Sequence, residues 1–408
     1  EQAQATRSRT QDLANRAAAV LTWVAIGVGG GTFVVWLVLG APLAFALERM
    51  VTVMVISCPH ALGLAVPLVV AVSTELTARN GLLIRDRAAF ERARALQAVV
   101  FDKTGTLTEG RFGVVSVVPL ATGHDETAVL RLAAGLEASS EHPIAKGILR
   151  SAADRGIVAP QASEFRNLPG EGARAIIEGS EVEVVSPGTL DRRGIAVTDA
   201  RVAAERQAGR TVVFVVAGGV VTGAVALADI VRAESREAIR QLQSLGLRCM
   251  MLTGDARPVA EQVGRELGLD EVRAEVLPHQ KSEVVQAIQA KGLTVAMVGD
   301  GVNDAPALAQ SDLGIAIGAG TDVAAEAADI VLVRNDPRDV VAILALARAT
   351  YAKMAQNLAW ATGYNVIAIP LAAGVGMPWG ILLTPAMGAA LMSLSTVVVA
   401  FNARLLGR

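Results

Sequence analysis

Uncharged, strongly apolar residues fill four long stretches of the chain, 17–47, 50–74, 354–376 and 379–401, and each is long enough to cross about 30 Å of hydrocarbon as a helix. Between the two pairs the pattern changes. Short apolar runs at Ala98-Val99-Val100-Phe101, Leu247 to Leu252 and Thr294 to Val298 predict buried strands. Helical periodicity at 233–245, 256–267 and 280–291 alternates with them, the order of a doubly wound parallel sheet. From Thr108 to about Ala228 the rhythm differs again: a pair of helices around 126–154, then short strands punctuated by Gly170, Gly172, Gly179 and Gly188. This predicts an α+β domain inserted into the α/β one. The resulting division is a membrane part at 1–80, an α/β domain at 81–112 and 226–345, the insert at 113–225, and a second membrane part at 346–408.

Composition supports the membrane assignment, with 52% hydrophobic and 19% charged residues and a mean hydropathy of +0.45. All four tryptophans, Trp23, Trp36, Trp360 and Trp379, fall in the apolar stretches. The formal charge is −2 with no long basic block, which sets nucleic acid aside as a partner. Arg79, Arg85, Arg87, Arg92 and Arg94 follow the second stretch, whereas Gly376 to Gly380 carries no charge. By the positive-inside rule the charged middle and both termini are cytoplasmic. Cys58 falls in an apolar stretch and Cys249 in the charged middle, so they predict no disulfide. The chain begins at Glu1 without a signal peptide, which suggests a sequence incomplete at its N-terminus.

Four clusters carry candidate chemistry. Asp102 ends the first buried strand and opens Asp102-Lys103-Thr104-Gly105-Thr106-Leu107-Thr108, where a carboxylate can attack phosphorus while loop amides and hydroxyls hold the phosphoryl oxygens. Thr253-Gly254-Asp255 and Gly299-Asp300-Gly301-Val302-Asn303-Asp304 follow the other two strands, and Lys281 opens a helix. Asp102 and Asp300 with the Thr104 carbonyl suit Mg²⁺, which takes oxygen ligands in an octahedral shell. Lys281 offsets phosphoryl charge, Thr253 and the Gly254 amide donate to equatorial oxygens, and Asn303 and Asp304 orient the network.

This set resembles the haloacid-dehalogenase-like superfamily, and DKTGTLT with TGD and GDGVND is similar to the phosphorylation domain of P-type ATPases. The resemblance implies an α/β doubly wound phosphorylation domain with an inserted α+β nucleotide-binding domain and a helical transmembrane part. Phosphatases of the superfamily generally place an acid/base aspartate two residues after the nucleophile. Thr104 stands there, so the resemblance favours a persistent aspartyl phosphate and a pump over simple hydrolysis. In the insert, Glu137 with Ser140-Glu141-His142-Pro143 and Leu168-Pro169-Gly170-Glu171-Gly172 resembles the nucleotide-pocket motifs of heavy-metal P-type ATPases. ATP is thereby implied, with His142 against adenine, Glu137 accepting from the purine amino group, and Gly170 and Gly172 admitting the nucleotide closely. By itself SEHP reads as a helix N-terminus. His124 and His279 read as surface residues, and Cys249 as a strand residue of the core.

Cys58-Pro59-His60 lies inside the second apolar stretch, where an ionisable or soft ligand is a functional candidate. In a regular helix the two side chains would stand about 200° apart; Pro59 removes an amide donor, and local unwinding lets thiolate and imidazole converge. The bland alternative is a kinked helix with a core cysteine. Tyr364 and Asn365 in the third stretch and Met392, Ser393, Ser395 and Thr396 in the fourth complete a set whose sulfurs suit Cu⁺ or Ag⁺, with imidazole leaving Cu²⁺ open. CPH with YN and MSxST resembles the copper-exporting subgroup that has histidine where its commoner relatives have a second cysteine.

The resemblance runs from about Leu13 to Arg408. P-type ATPases also carry earlier spans and an actuator domain whose Thr-Gly-Glu loop directs water at the aspartyl phosphate, and that tripeptide is absent here. The reading implied is ATP-driven copper or silver export in a plasma (inner) membrane, needing the actuator part to complete a cycle. Two alternatives differ in class: a membrane-anchored phosphatase on the same fold, and a non-catalytic metal-binding membrane subunit.

Overall fold

The computed structural model describes residues 9–318 and 322–407, so the ends of the two predicted membrane parts, residues 1–8 and 408, lie outside it. The charged middle of the chain folds around two sheets. One is seven-stranded, in the order Leu82–Ile84, Ile330–Leu332, Leu313–Ile317, Val295–Gly299, Ala98–Asp102, Arg248–Leu252, Glu271–Arg273, and only its first strand is antiparallel to its neighbour. A parallel sheet must be covered on both faces, and the alternation within Ala98–Asp102 shows how. Val99 and Phe101 join a core with Ile239, Leu242, Val263, Ile343 and Ala347, while Ala98 and Val100 join another with Val285, Ile288, Ala307 and Leu308. Helices Ala233–Ser244, Arg257–Leu267 and Lys281–Gln289 match the periodicity read from the sequence to within two residues at each end.

The second sheet has six antiparallel strands, ordered Thr108–Pro119, Val220–Val231, Thr211–Ala217, Ser180–Val185, Gly172–Ile177, Ala162–Leu168. Helices Glu126–Glu137 and Pro143–Asp154 bury Val129, Leu130 and Ile148 on one face. The domain limits proposed from the sequence, 112/113 and 225/226, fall inside Thr108–Pro119 and Val220–Val231, which pair with each other. These two strands physically join the two units. His124 is half-buried with Nδ1 enclosed, not a surface residue, and His279 is exposed.

The first apolar stretch does not form one helix over 17–47. Helix Arg9–Val38 ends before Gly40, whose φ of +79° suits glycine, and Pro42 starts a new helix, Leu43–Ile56. The predicted second span, 50–74, is likewise two helices, Leu43–Ile56 and His60–Arg79, broken at Ser57-Cys58-Pro59. The third, 354–376, is the far half of one 36-residue helix, Arg338–Ala373, whose near half packs on the seven-stranded sheet. The fourth begins later than 379: Met377–Trp379 is a 3₁₀ turn holding an exposed Trp379, and helix Pro385–Arg404 follows. Among the described residues Asp12–Val38, Leu43–Arg79 and Pro385–Gly407 are long and apolar enough to cross a membrane. Arg338–Ala373 is not among them; Gln356, Asn357, Tyr364 and Asn365 dilute its apolar half.

Candidate functional site

Strand register brings the sequence clusters to one edge. Asp102 pairs with Leu252, just before Thr253-Gly254-Asp255, and Phe101 pairs with Val298, just before Gly299-Asp300. Lys281 Nζ donates to Asp102 Oδ1 at 2.5 Å and to Asp304 Oδ1 at 2.6 Å, and all three groups are buried. Burial, then Asp304, pushes the Asp102 carboxyl up to about 7 against the opposing pull of Lys281. Burial would lower the Lys281 ammonium, but Asp102 and Asp304 outweigh it and hold the ammonium charged.

One carboxylate oxygen from each of Asp102, Asp300 and Asp304 lies within 4.8 Å of the others. Opposite ligands of an octahedral Mg²⁺ stand about 4.2 Å apart, so three inward carboxylates against a single ammonium fit a divalent cation. Asp300 is itself held above the ordinary carboxylate range by burial and by Asp304. The sequence placed Asp304 among the orienting residues; the structure places it in this acidic group, while Asn303 beside it is exposed and Thr104 is exposed on the loop. Thr253 is buried, its Oγ1 accepting from the Asp255 amide at 3.1 Å, and Gly254 sits in the open turn between them.

The loop after Asp102 is shaped by glycine and clamped from the far strand. Gly105 has φ +78°, and a Cβ there would overlap the Asp300 carboxylate. Arg232 donates from Nε to the Thr106 carbonyl at 3.1 Å and from Nη2 to Gly105 at 2.9 Å, and Ser235 Oγ donates to Leu107 at 2.8 Å. Lys103 is buried between Asp255, at 2.5 Å, and Asp229, at 3.5 Å. Asp229 in turn accepts from Thr108 Oγ1 and the Arg111 amide. The sequence reading missed Asp229, Arg232 and Ser235. Their signal was charge at the end of an apolar strand where the insert returns, in Ala-Leu-Ala-Asp-Ile-Val-Arg. A cleft of about 570 Å³ opens between the two sheet domains here, lined by Lys103, Thr104, Asp255, Asp229 and Arg210.

A second cavity, about 550 Å³, lies in the antiparallel domain and is lined by Glu137, His142, Gly170 and Gly172 together with Phe165 and Asn167. Glu137 is buried, which raises its pKa, while a bond from Ser140 opposes the shift. His142 is the N-cap of Pro143–Asp154, its Nδ1 accepting from the Ile144 amide at 3.2 Å, so the helix-start reading of SEHP describes its local bond. That bond leaves Nε2 as the ring donor. Gly172 is required by packing: its φ is +145° and a Cβ would strike the Val184 carbonyl. Gly170 has φ +73° and open space where a Cβ would stand. Close approach to a ligand is therefore available at Gly170, and Gly172 is explained by the neighbouring strand.

In the membrane part, Cys58 N donates to Val55 O at 3.3 Å as the helix ends, and His60 restarts it after Pro59; both side chains are exposed. Tyr364 Oη donates to the Ile56 carbonyl at 3.2 Å, so helix Arg338–Ala373 meets the break itself. Asn365 Nδ2 bonds Ala361 O, Ser393 Oγ bonds Ala389 O and Thr396 Oγ1 bonds Met392 O. Ser57 Oγ, Asn365 Oδ1 and Ser395 Oγ are buried without a hydrogen-bond partner among the described residues. Cys58 and Cys249 are both free thiols, Cys249 buried in its strand.

The model of the haloacid dehalogenase-like hydrolases matches residues 96–312. The chain is 64% identical over 405 residues to the copper-exporting P-type ATPase B of Archaeoglobus fulgidus, covering 99% of this chain and 58% of that protein. It is 45% identical to the copper-exporting P-type ATPase B of Enterococcus hirae, covering 98% of this chain and 54% of that one. The crystal structure of a zinc-transporting PIB-type ATPase in its E2.Pi state superposes with a TM-score of 0.79 at 36% identity, over 96% of this chain and 62% of that one. The chain thus spans little more than half the length of the curated relatives it matches. With Asp102, Thr253, Lys281 and Asp300 gathered at the carboxyl edge of a parallel sheet, the chain belongs to the haloacid dehalogenase-like hydrolases.

Proposed function

We propose that this chain is the phosphorylation, nucleotide-binding and C-terminal membrane portion of a copper-type P-type ATPase, exporting copper or silver through an aspartyl phosphate on Asp102. The observation that carries the reading is the buried Lys281 bridge between Asp102 and Asp304 at the sheet edge. A hydrolysis site alone does not need the polar residues that line the membrane helices above it.

The chain's groups divide the work. Glu137, His142 and Gly170 hold the purine end of ATP in the antiparallel domain, with Phe165 as an apolar wall. Asp102 Oδ attacks the γ-phosphorus, and the bond to the β-bridging oxygen breaks as ADP leaves. Lys281 offsets charge on the transferred group, and the Thr253 hydroxyl and Gly254 amide donate to its oxygens. Mg²⁺ held by Asp102, Asp300, Asp304 and the Thr104 carbonyl would neutralise the phosphate oxygens. Thr104 offers no carboxylate to take a proton from an attacking water, so the phosphate persists until an actuator part of the same protein, outside this chain, directs and activates that water. Cys58, His60, Tyr364, Asn365, Met392, Ser393, Ser395 and Thr396 supply the cargo site. The plasma (inner) membrane is the expected location, with the two sheet domains cytoplasmic.

Acid-quenching the full-length protein after exposure to labelled ATP tests the first half of this reading. Label on Asp102, lost in Asp102→Asn, is expected; turnover of small phosphoesters without label would favour the anchored phosphatase. Stimulation by Cu⁺, Ag⁺, Cu²⁺ and Zn²⁺ tests the second half. Best stimulation by Zn²⁺, unchanged in Cys58→Ala, would reject the soft-metal site.

A further inference from the structure

We propose that Asn357 is a positioning residue that sets the alignment of the three helices carrying the cargo ligands, an inference that rests on the transport reading above. Asn357 is 1% exposed, and its two amide protons go to two different neighbours: Nδ2 donates to Ala65 O at 3.1 Å and to Val399 O at 3.3 Å. Its Oδ1 accepts from Asn402 Nδ2 at 2.8 Å, and Asn402 Oδ1 accepts from Lys353 Nζ at 2.9 Å. Every partner of this amide comes from a helix that bears proposed ligands. Ala65 lies on His60–Arg79, which His60 opens just after Cys58, Val399 follows Met392 to Thr396 on Pro385–Arg404, and Asn357 precedes Tyr364 and Asn365 on its own helix.

Spacing puts the knot next to the site. Tyr364 is seven residues on from Asn357, two turns and about 10 Å along the same face. A buried amide in a membrane segment is costly unless its groups are bonded. Here both protons and the oxygen are used, so sliding or turning any one helix breaks a bond in hydrocarbon. Among the proposed ligands Tyr364, Ser393 and Thr396 bond to main-chain carbonyls, but Asn365 Oδ1 and Ser395 Oγ, with Ser57 Oγ next to Cys58, are buried without partners among the described residues. A satisfied floor beneath a set of unsatisfied oxygens is what a receptive site needs, since the floor holds geometry and the oxygens remain free for a ligand. The same helix reaches the seven-stranded sheet through Val340, Ile343, Leu344 and Ala347. Asn357 is therefore where a rod continuous with the phosphorylation domain is fastened to the other two ligand helices.

The test is Ag⁺ affinity, by chelator competition, of full-length protein in detergent, beside its Ag⁺-stimulated ATPase activity. Asn357→Leu should weaken Ag⁺ binding and raise the half-stimulating concentration by about tenfold, with KM for ATP unchanged. Asn357→Thr keeps one donor and should fall between, and Asn402→Leu, at the half-buried rim, should shift affinity by about threefold. If Asn357→Leu fails to fold, Asn357→Thr and Asn402→Leu give the answer. Wild-type affinity in the variants, or Ag⁺ and ATP constants that worsen together, would overturn the positioning role alone. A wild-type protein that binds no Ag⁺ would overturn the cargo-site reading and this inference with it.

Discussion

Lys281 Nζ lies 2.5 Å from Asp102 Oδ1 and 2.6 Å from Asp304 Oδ1, so one buried ammonium is shared by the proposed phosphate acceptor and the acidic turn beyond the next strand. Removing it leaves two buried carboxylates facing each other beside Asp300, without the ammonium that lowers both Asp102 and Asp300. Breaking such a buried pair from one side costs about 3–5 kcal/mol. Lys281→Met should therefore lower the melting temperature in the absence of Mg²⁺, with Mg²⁺ restoring part of it. Phosphorylation from ATP should fall by about a hundredfold or more, because the charge that offsets the transferred group is gone. Labelled phosphoenzyme in a quench series reads the second effect, and wild-type labelling rates would remove Lys281 from the reaction.

The raised pKa of Asp102 fixes a direction for pH. An unfolded aspartate titrates near about 3.9, whereas the folded group sits up at about 7. The folded state thus binds its proton more tightly, and this group's contribution to stability is present below the unfolded value and lost as pH rises through the folded one. Metal-free wild type should lose more stability between pH 4 and pH 7 than Asp102→Asn does. Mg²⁺ competes with the proton, so it should flatten the wild-type profile. Denaturant titrations at several pH values check this; identical slopes for the two proteins would contradict it.

Gly105 cannot carry a side chain without moving the acidic cluster. Its φ is +78°, where an L residue pays about 1–2 kcal/mol, and the added Cβ of Gly105→Ala would overlap the Asp300 carboxylate. A modest fall in stability is expected with a much larger loss of Mg²⁺ affinity, about a hundredfold, since a ligand is displaced. Mn²⁺ titration followed by electron paramagnetic resonance measures the binding, and unimpaired Mn²⁺ affinity would show that Asp300 is no ligand.

How far the site was legible from sequence follows from where its physics resides. Strand-end motifs are local, so Asp102, Thr253 and Asp300 could be assigned to one edge from the order of strands and helices, and the parallel register carries them there. Long-range partners are not local. Asp229 and Arg232 grip a loop more than a hundred residues earlier, and only strand Val220–Val231 pairing with Thr108–Pro119 brings them near it. Helix ends in the membrane were misjudged for a related reason: hydropathy sees apolar side chains but not backbone breaks. Gly40 and Pro42 split the first stretch, and Arg49, fully buried, lies inside helix Leu43–Ile56 where its charge had marked a boundary. Its Nη2 pairs with Glu48 Oε1 at 2.6 Å and its Nη1 donates to Leu383 O, which spares it an unpaired charge.

Arg232 tests whether the loop is held from outside. Its guanidinium supplies two bonds to the carbonyls of Gly105 and Thr106, and its amide donates to Leu107 O at 3.1 Å. Arg232→Met keeps the amide bond and the aliphatic stem but drops both guanidinium bonds, at about 1.5–3 kcal/mol for hydrogen bonds to a charged group. Loop amides should then exchange with solvent faster while strand Ala98–Asp102 stays protected. Phosphorylation should slow without a change in ATP affinity, since the proposed nucleotide pocket is in the other domain. Hydrogen exchange by mass spectrometry separates the two segments, and equal protection would show that the loop holds itself.

The two thiols should differ sharply in reactivity. Cys249 is fully buried in strand Arg248–Leu252, and burial pushes its thiol up to about 12, so almost none is thiolate at pH 8. Cys58 stands exposed at the helix break. In detergent, a small alkylating reagent should label Cys58 and leave Cys249 untouched until the protein is denatured. Ag⁺ added first should protect Cys58 if its sulfur is a ligand, and His60→Ala should weaken that protection by about tenfold. Peptide mapping of the labelled protein reads each thiol separately. Protection of Cys58 by Zn²⁺ at lower concentration than by Ag⁺ would reverse the order of metals assigned to the site, because sulfur paired with a single imidazole favours the softer ion.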